Sequence, residues 1–105
     1  MKKQLYKLSI EAWNLECDVF DLWAEADRAM RAWEDKTDKT QDIVLECEGV
    51  YDLEPNEITG QALDEAYSTH EQAMQELHKA QERLDYIKQA MEALERAHQY
   101  LAWAE

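Results

Sequence analysis

Apolar residues recur at alternating steps of three and four along much of this chain, and that spacing leaves room for little besides long paired helices. From Leu63 the series runs Leu63, Ala66, His70, Ala73, Leu77, Ala80, Leu84, Ile87, Met91, Leu94, His98, Leu101 without a break. A second series with the same steps runs Leu5, Leu8, Ala12, Leu15, Val19, Leu22, Ala26, Ala29, Trp33. Of these 21 positions 19 are apolar, and the other two are histidines. Seven residues in two turns keep one edge of a helix turned toward a partner, so each series marks one coiled-coil seam. Two glycines and one proline in 105 residues are too few for the turns a sheet needs. The expected class is all-α: a long antiparallel helical hairpin with a coiled-coil seam and a short middle helix. That makes three helices in one domain, residues 1–105.

The first helix is expected over residues 4–35. A break follows at Asp35–Thr40, where Thr37, Asp38 and Thr40 are helix-capping types and Gln41 stands three residues after Asp38. The short middle helix is read at 41–52, with Ile43, Cys47, Val50 and Tyr51 facing inward; the β-branched pair Ile43 and Val44 leaves a strand as the alternative. Pro55 ends that segment, and the last helix runs over 59–103. Folding the long helices about a 36–58 connection puts Trp33 near Ala62 and Leu5 near Ala90. Met91, Leu94, His98, Leu101 and Trp103 then extend past the end of the first helix. An uncovered apolar stripe marks an interface, so these five residues are expected to make a homodimer contact. Cover by residues 1–10 or by the middle helix is the alternative.

Acids outnumber bases 24 to 11, for a net charge of −13. The first ten residues carry only Lys2, Lys3 and Lys7, whereas residues 11–58 hold 15 acids and 4 bases. Such a surface repels nucleic acid and anionic membrane and attracts basic proteins. No apolar run is long enough to span a membrane, and Lys2 and Lys3 do not lead into a signal-peptide core. The chain is expected to be cytoplasmic, with Cys17 and Cys47 reduced.

The acids form ladders. Glu34, Asp38, Asp42 and Glu46 recur every four residues, and Glu48 and Asp52 repeat the step. On the first helix Asp18 and Glu25 lie seven apart with Asp21 between. Side chains four apart on a helix are neighbours, with Cβ atoms about 5–6 Å apart. That interval is comparable to the phosphate spacing of a nucleic-acid strand, so the ladder suits a groove lined by Lys and Arg. Like charges at this spacing destabilise a helix, so stability does not account for them; a solvated face that keeps the protein soluble is the alternative. Trp13 and Trp23 lie off the seam. They pack on the middle segment or contact a partner, where tryptophan is favoured.

Catalytic patterns do not appear. Ser9 and Ser68 have no glycine elbow, Cys17 and Cys47 have no local histidine, and Gly49 and Gly60 are isolated. Glu95 and His98 make the only Glu-x-x-His pair, half of what one chain needs for a ferritin-like centre. The seam histidines His70 and His98 are read as hydrogen-bonded or partly exposed. No catalytic residue, metal site or cofactor is assigned.

Two functions fit. An acidic inhibitor would cover a basic, nucleic-acid-binding surface of another protein through Asp18, Asp21, Glu25, Glu34, Asp38, Asp42, Glu46, Glu48 and Asp52, with Trp13 and Trp23. A structural or adaptor coiled coil would act through homodimerisation. In size, acidity and helicity the chain resembles the small inhibitors encoded by phages and mobile elements, of which anti-CRISPR proteins are the best-known group. The resemblance is one of style over the whole chain and carries no residue across. It implies a stoichiometric, non-enzymatic inhibitor of a host defence complex, acting in the host cytoplasm. The partner is then a basic protein or nucleoprotein complex rather than free nucleic acid.

Overall fold

A computed structural model describes residues 2–104, and the side chains of residues 2–103. Two helices account for nearly all of them: α1, Lys2–Leu53, and α2, Glu57–Ala104. There is no strand among the described residues.

The all-α class holds, but the break expected at 35–40 and the separate middle helix do not. Helix α1 runs straight through Asp35–Asp42. One series of its buried and half-buried positions shows why: Leu5, Ser9, Ala12, Glu16, Val19, Trp23, Ala26, Met30, Trp33, Thr37, Thr40, Val44 and Cys47 keep one heptad phase throughout. Thr37 and Thr40, read from sequence as caps, are seam residues. The Thr37 hydroxyl donates to the Trp33 carbonyl at 2.7 Å and the Thr40 hydroxyl reaches the Thr37 carbonyl at 2.9 Å, so the helix itself satisfies them. Exposed Lys39 pairs with Asp35 one turn back, at 3.0 Å. Tertiary packing of the seam overrides the local capping signal.

Helix α2 presents the predicted seam, from Leu63 to Leu101, at every one of its positions. Helix α1 does not. Leu5, Ala12, Val19, Ala26 and Trp33 face inward as expected, but Leu8, Leu15, Leu22 and Ala29 are exposed, and the neighbouring Ser9, Glu16, Trp23 and Met30 take their places. The shift brings Glu16, not Leu15, to His98, whose imidazole would otherwise face hydrocarbon without a hydrogen-bond partner.

The turn is built by side chains. The Glu54 amide still bonds to the Val50 carbonyl at 2.9 Å, and Pro55 stops the helix there. Asn56 caps α2: its Oδ1 accepts from the Thr59 amide at 2.9 Å while Thr59 Oγ1 accepts from the Asn56 amide at 3.0 Å. This reciprocal pair is a capping box with Thr at the third helical position. The Thr59 hydroxyl donates in turn to the Glu54 carbonyl at 2.7 Å, tying the end of α1 to the start of α2.

Contacts group into two compact units. One holds the described residues up to Arg28 and from Glu82 onward, the other Ala29–Gln81. In the first, Ala12, Ala26 and Leu84 are buried; in the second, Thr40, Val44, Ala66 and Ala73 are. In each, the two helices bury one stripe between them. Small residues fill the closest approach, and among the described residues no large side chain is fully enclosed.

Candidate protein interaction surface

Within the first unit α1 carries a further apolar row outside its seam. Tyr6, Ile10, Trp13, Cys17, Phe20 and Ala24 follow steps of four and three, the spacing of a second seam on the same helix. Tyr6 is 65% exposed, Trp13 56% and Phe20 53%. Ile10 and Cys17 are exposed as well, and Ala24 is half-buried. Phe20 stands against Trp23, ring centroids 5.8 Å apart at 30°, and Trp23 reaches into the seam behind it. Phe20 is thereby backed by a residue of the seam. Trp13, Cys17 and Phe20 line a shallow groove of about 440 Å³ with Glu16, Asp21, Met91 and Glu95.

The opposite flank of the same helix is different. There Leu8, Leu15 and Leu22 alternate with Glu11, Asp18 and Glu25, so no continuous apolar strip forms.

The structure separates the residues singled out from sequence. Trp13 lies in the exposed row. Trp23, expected off the seam, is a seam residue. Asp18, Asp21 and Glu25 are exposed on the first unit's stretch of α1. Glu34, Asp38, Asp42 and Glu46 are all exposed on unbroken helix, so the four-residue ladder is geometrically intact. Asp52 is exposed too, but Glu48 is half-buried and accepts a hydrogen bond from the Tyr67 hydroxyl. That bond holds the phenol in its protonated form and raises the Tyr67 pKa above its usual value, with lesser contributions from desolvation and from the charges of Glu48, Asp52 and Asp64.

The overhang expected to carry a dimer contact does not arise. Met91, Leu94, His98 and Leu101 are half-buried in the seam because α1 continues to Leu53, so the connection shrinks to 54–56 and the first part of α1 lies against them, with Glu16 at His98. Trp103 is 90% exposed.

Both seam histidines face polar partners. His70 Nδ1 lies 2.8 Å from the Thr40 hydroxyl, and His98 Nδ1 lies 3.2 Å from Glu16 Oε2. Each pair joins α1 to α2 inside one unit. Cys17 and Cys47 are free thiols. No group of three His, Cys, Asp or Glu side chains is placed to hold a metal ion among the described residues. Among the same residues no helix is long and apolar enough to cross a membrane.

Sequence reasoning set Trp13 off the seam but did not join it to Tyr6, Ile10, Cys17, Phe20 and Ala24 as one row. The signal was present: the four-three steps from Tyr6 to Ala24 repeat the seam's own rhythm. No protein-family model, curated protein or solved structure matches the chain.

Proposed function

We propose that this chain is a non-enzymatic protein-binding module whose contact surface is the row Tyr6, Ile10, Trp13, Cys17, Phe20 and Ala24. The observation that carries the reading is the heptad spacing of that row together with its exposure. A helix with seam-spaced aromatic residues on an open face is built to receive another helix, and tryptophan and tyrosine in such a row supply binding energy out of proportion to their number. The net charge of −13 directs the module away from nucleic acid and anionic membrane.

A second reading rests on a different observation, the exposure of Glu34, Asp38, Asp42 and Glu46 along one unbroken helix. In that reading the ladder covers a basic, nucleic-acid-binding surface of a host complex, as an anti-CRISPR-like inhibitor would. The two differ in the physics of the contact. Affinity purification with the tagged chain, eluted by a salt gradient, separates them. A partner that resists high salt and is lost with Phe20→Asp supports the apolar row. A partner released at moderate salt and lost with the combined Asp38→Asn, Asp42→Asn and Glu46→Gln variant supports the ladder.

A further inference from the structure

The apolar row has a pattern within it that bears on what it receives. Its aromatic members, Tyr6, Trp13 and Phe20, stand seven residues apart in one column, and the smaller Ile10, Cys17 and Ala24 stand seven apart in the adjoining column. Pair this row in parallel with a copy of itself, and large meets large while small meets small. Trp13 would meet Trp13 and Phe20 would meet Phe20, with Ala24 opposite Ala24. Such layers are overpacked or void, and both faults destabilise. Turn the copy antiparallel about a point midway along the row, and each aromatic meets a smaller residue: Tyr6 with Ala24, Trp13 with Cys17, Phe20 with Ile10. Alternating large and small residues across a seam is how close packing is reached.

The charges follow the same symmetry. The outer edge of the row carries Lys7, Asn14, Asp21 and Arg28 at steps of seven. All four are exposed. Antiparallel pairing sets Lys7 beside Asp21 of the second copy, twice by symmetry, with Asn14 close to its own copy at the centre. In a parallel pair this edge would instead face the copy's inner edge and set Asp21 beside Glu16, two acids. On the inner edge Glu16 approaches its copy, and there the carboxylate already holds His98.

We infer that the occupant of this surface is a second copy of the chain, bound through an antiparallel two-fold contact between the two α1 rows centred between Trp13 and Cys17. The inference rests on the apolar-row reading and names the partner. The contact is isologous, so it closes on itself and adds no third copy.

Its size sets its strength. Half-exposed aromatic side chains still offer on the order of 100 Å² each, given the 150–250 Å² that a buried one hides. With the smaller members, both copies together bury roughly 900 Å², just under the ~1,000 Å² at which stable contacts begin. The dimer is therefore reversible, forming in the micromolar range or above.

Sedimentation equilibrium over a concentration series up to several hundred micromolar tests this, with circular dichroism confirming that each variant remains helical. The inference expects monomer and dimer in exchange, with no larger species. Phe20→Asp and, independently, Ile10→Asp should remove the dimer, since both place a charge in the same layer. Lys7→Asp should weaken it, and Lys7→Asp combined with Asp21→Lys should restore it, because each exchange makes both edge pairs repel or attract. With two exposed pairs at ~0.2–1 kcal/mol each, the shift in dissociation constant is about twofold to thirtyfold. A chain that stays monomeric throughout, or a dimer indifferent to Phe20→Asp and Ile10→Asp, overturns the inference. A folded monomer that nonetheless captures a different protein through Phe20 overturns the second-copy occupant alone and leaves the apolar-row reading standing. A folded monomer whose captures ignore Phe20 overturns both.

Discussion

Glu16 and His98 stand 82 residues apart in sequence, yet the imidazole Nδ1 of one lies 3.2 Å from a carboxylate oxygen of the other, across the helix seam. The contact exists only in the observed row of α1, because a helix turned by one residue would offer Leu15 in place of Glu16. Replacing Glu16 with Leu is expected to lower stability by about 1 kcal/mol, the worth of a hydrogen bond lost at a half-buried site. Glu16→Leu combined with His98→Leu should recover much of that, since neither polar group is then left unpaired. Urea unfolding of the single and double variants measures both.

Thr40 is buried and joins the two helices: its hydroxyl contacts the Thr37 carbonyl on α1 at 2.9 Å and His70 Nδ1 on α2 at 2.8 Å. Thr40→Val keeps the shape and removes the hydroxyl. A loss of about 1–2 kcal/mol is expected, because His70 loses its hydrogen bond to Thr40 across the helices. The same variant would change little if residues 35–40 were a solvated link, so the denaturation midpoint also reports on the continuity of α1.

That continuity has a sharper test at Asp38, an exposed position inside α1. Asp38→Pro removes no packing contact of consequence, but it breaks the backbone hydrogen-bond ladder and should cost about 3 kcal/mol or more. A connecting segment would accept it. Gly49→Ala makes the complementary prediction: a Cβ there meets nothing within 4 Å, so the helix should gain about 0.5–1 kcal/mol. Thermal unfolding of the two variants should therefore move in opposite directions.

Tyr67 supplies a pH dependence. Its pKa is raised in the folded chain, first by the hydrogen bond to Glu48. A proton held more tightly in the folded than the unfolded state stabilises the fold below the unfolded pKa of about 10, and that contribution disappears as pH rises through the folded value. Glu48→Gln should bring the Tyr67 titration down toward the ordinary tyrosine value, followed at its ring resonances by NMR. An unchanged titration would show that the bond does not govern it.

The sequence was more transparent in α2 than in α1, for a reason visible in the residues. Along α2 the row from Leu63 to Leu101 is flanked largely by polar side chains, so period alone selects it. Along the start of α1 three apolar rows run side by side, through Leu5 and Ala12, Leu8 and Leu15, and Tyr6 and Trp13. Spacing cannot choose among rows one residue apart; the polar demand of His98 on the other helix does, and that demand is nonlocal. Thr37, Asp38 and Thr40 misled for the converse reason. Their capping chemistry is local, and it lost to a seam in which two threonine hydroxyls bond back to their own helix. Once the break was assumed, the pairing of Trp33 with Ala62 followed from it; in the structure Trp33 and Ala73 line one groove.

The candidate surface was half legible. Trp13 was evident as an apolar residue off the seam, and the exposure of Asp38 and Asp42 followed from their charge. Trp23 could be placed in the seam only after the row that faces α2 was known.

The account stands or falls on where the chain touches another protein, and site-specific photocrosslinking answers that most directly. A photoreactive phenylalanine analogue placed at Trp13 keeps an aromatic ring in the exposed row; the same analogue at Asp42 sits in the acidic ladder. The account predicts a protein adduct from position 13 that Phe20→Asp abolishes, and none from position 42. An adduct from position 42 alone would contradict it and move the contact to the acids.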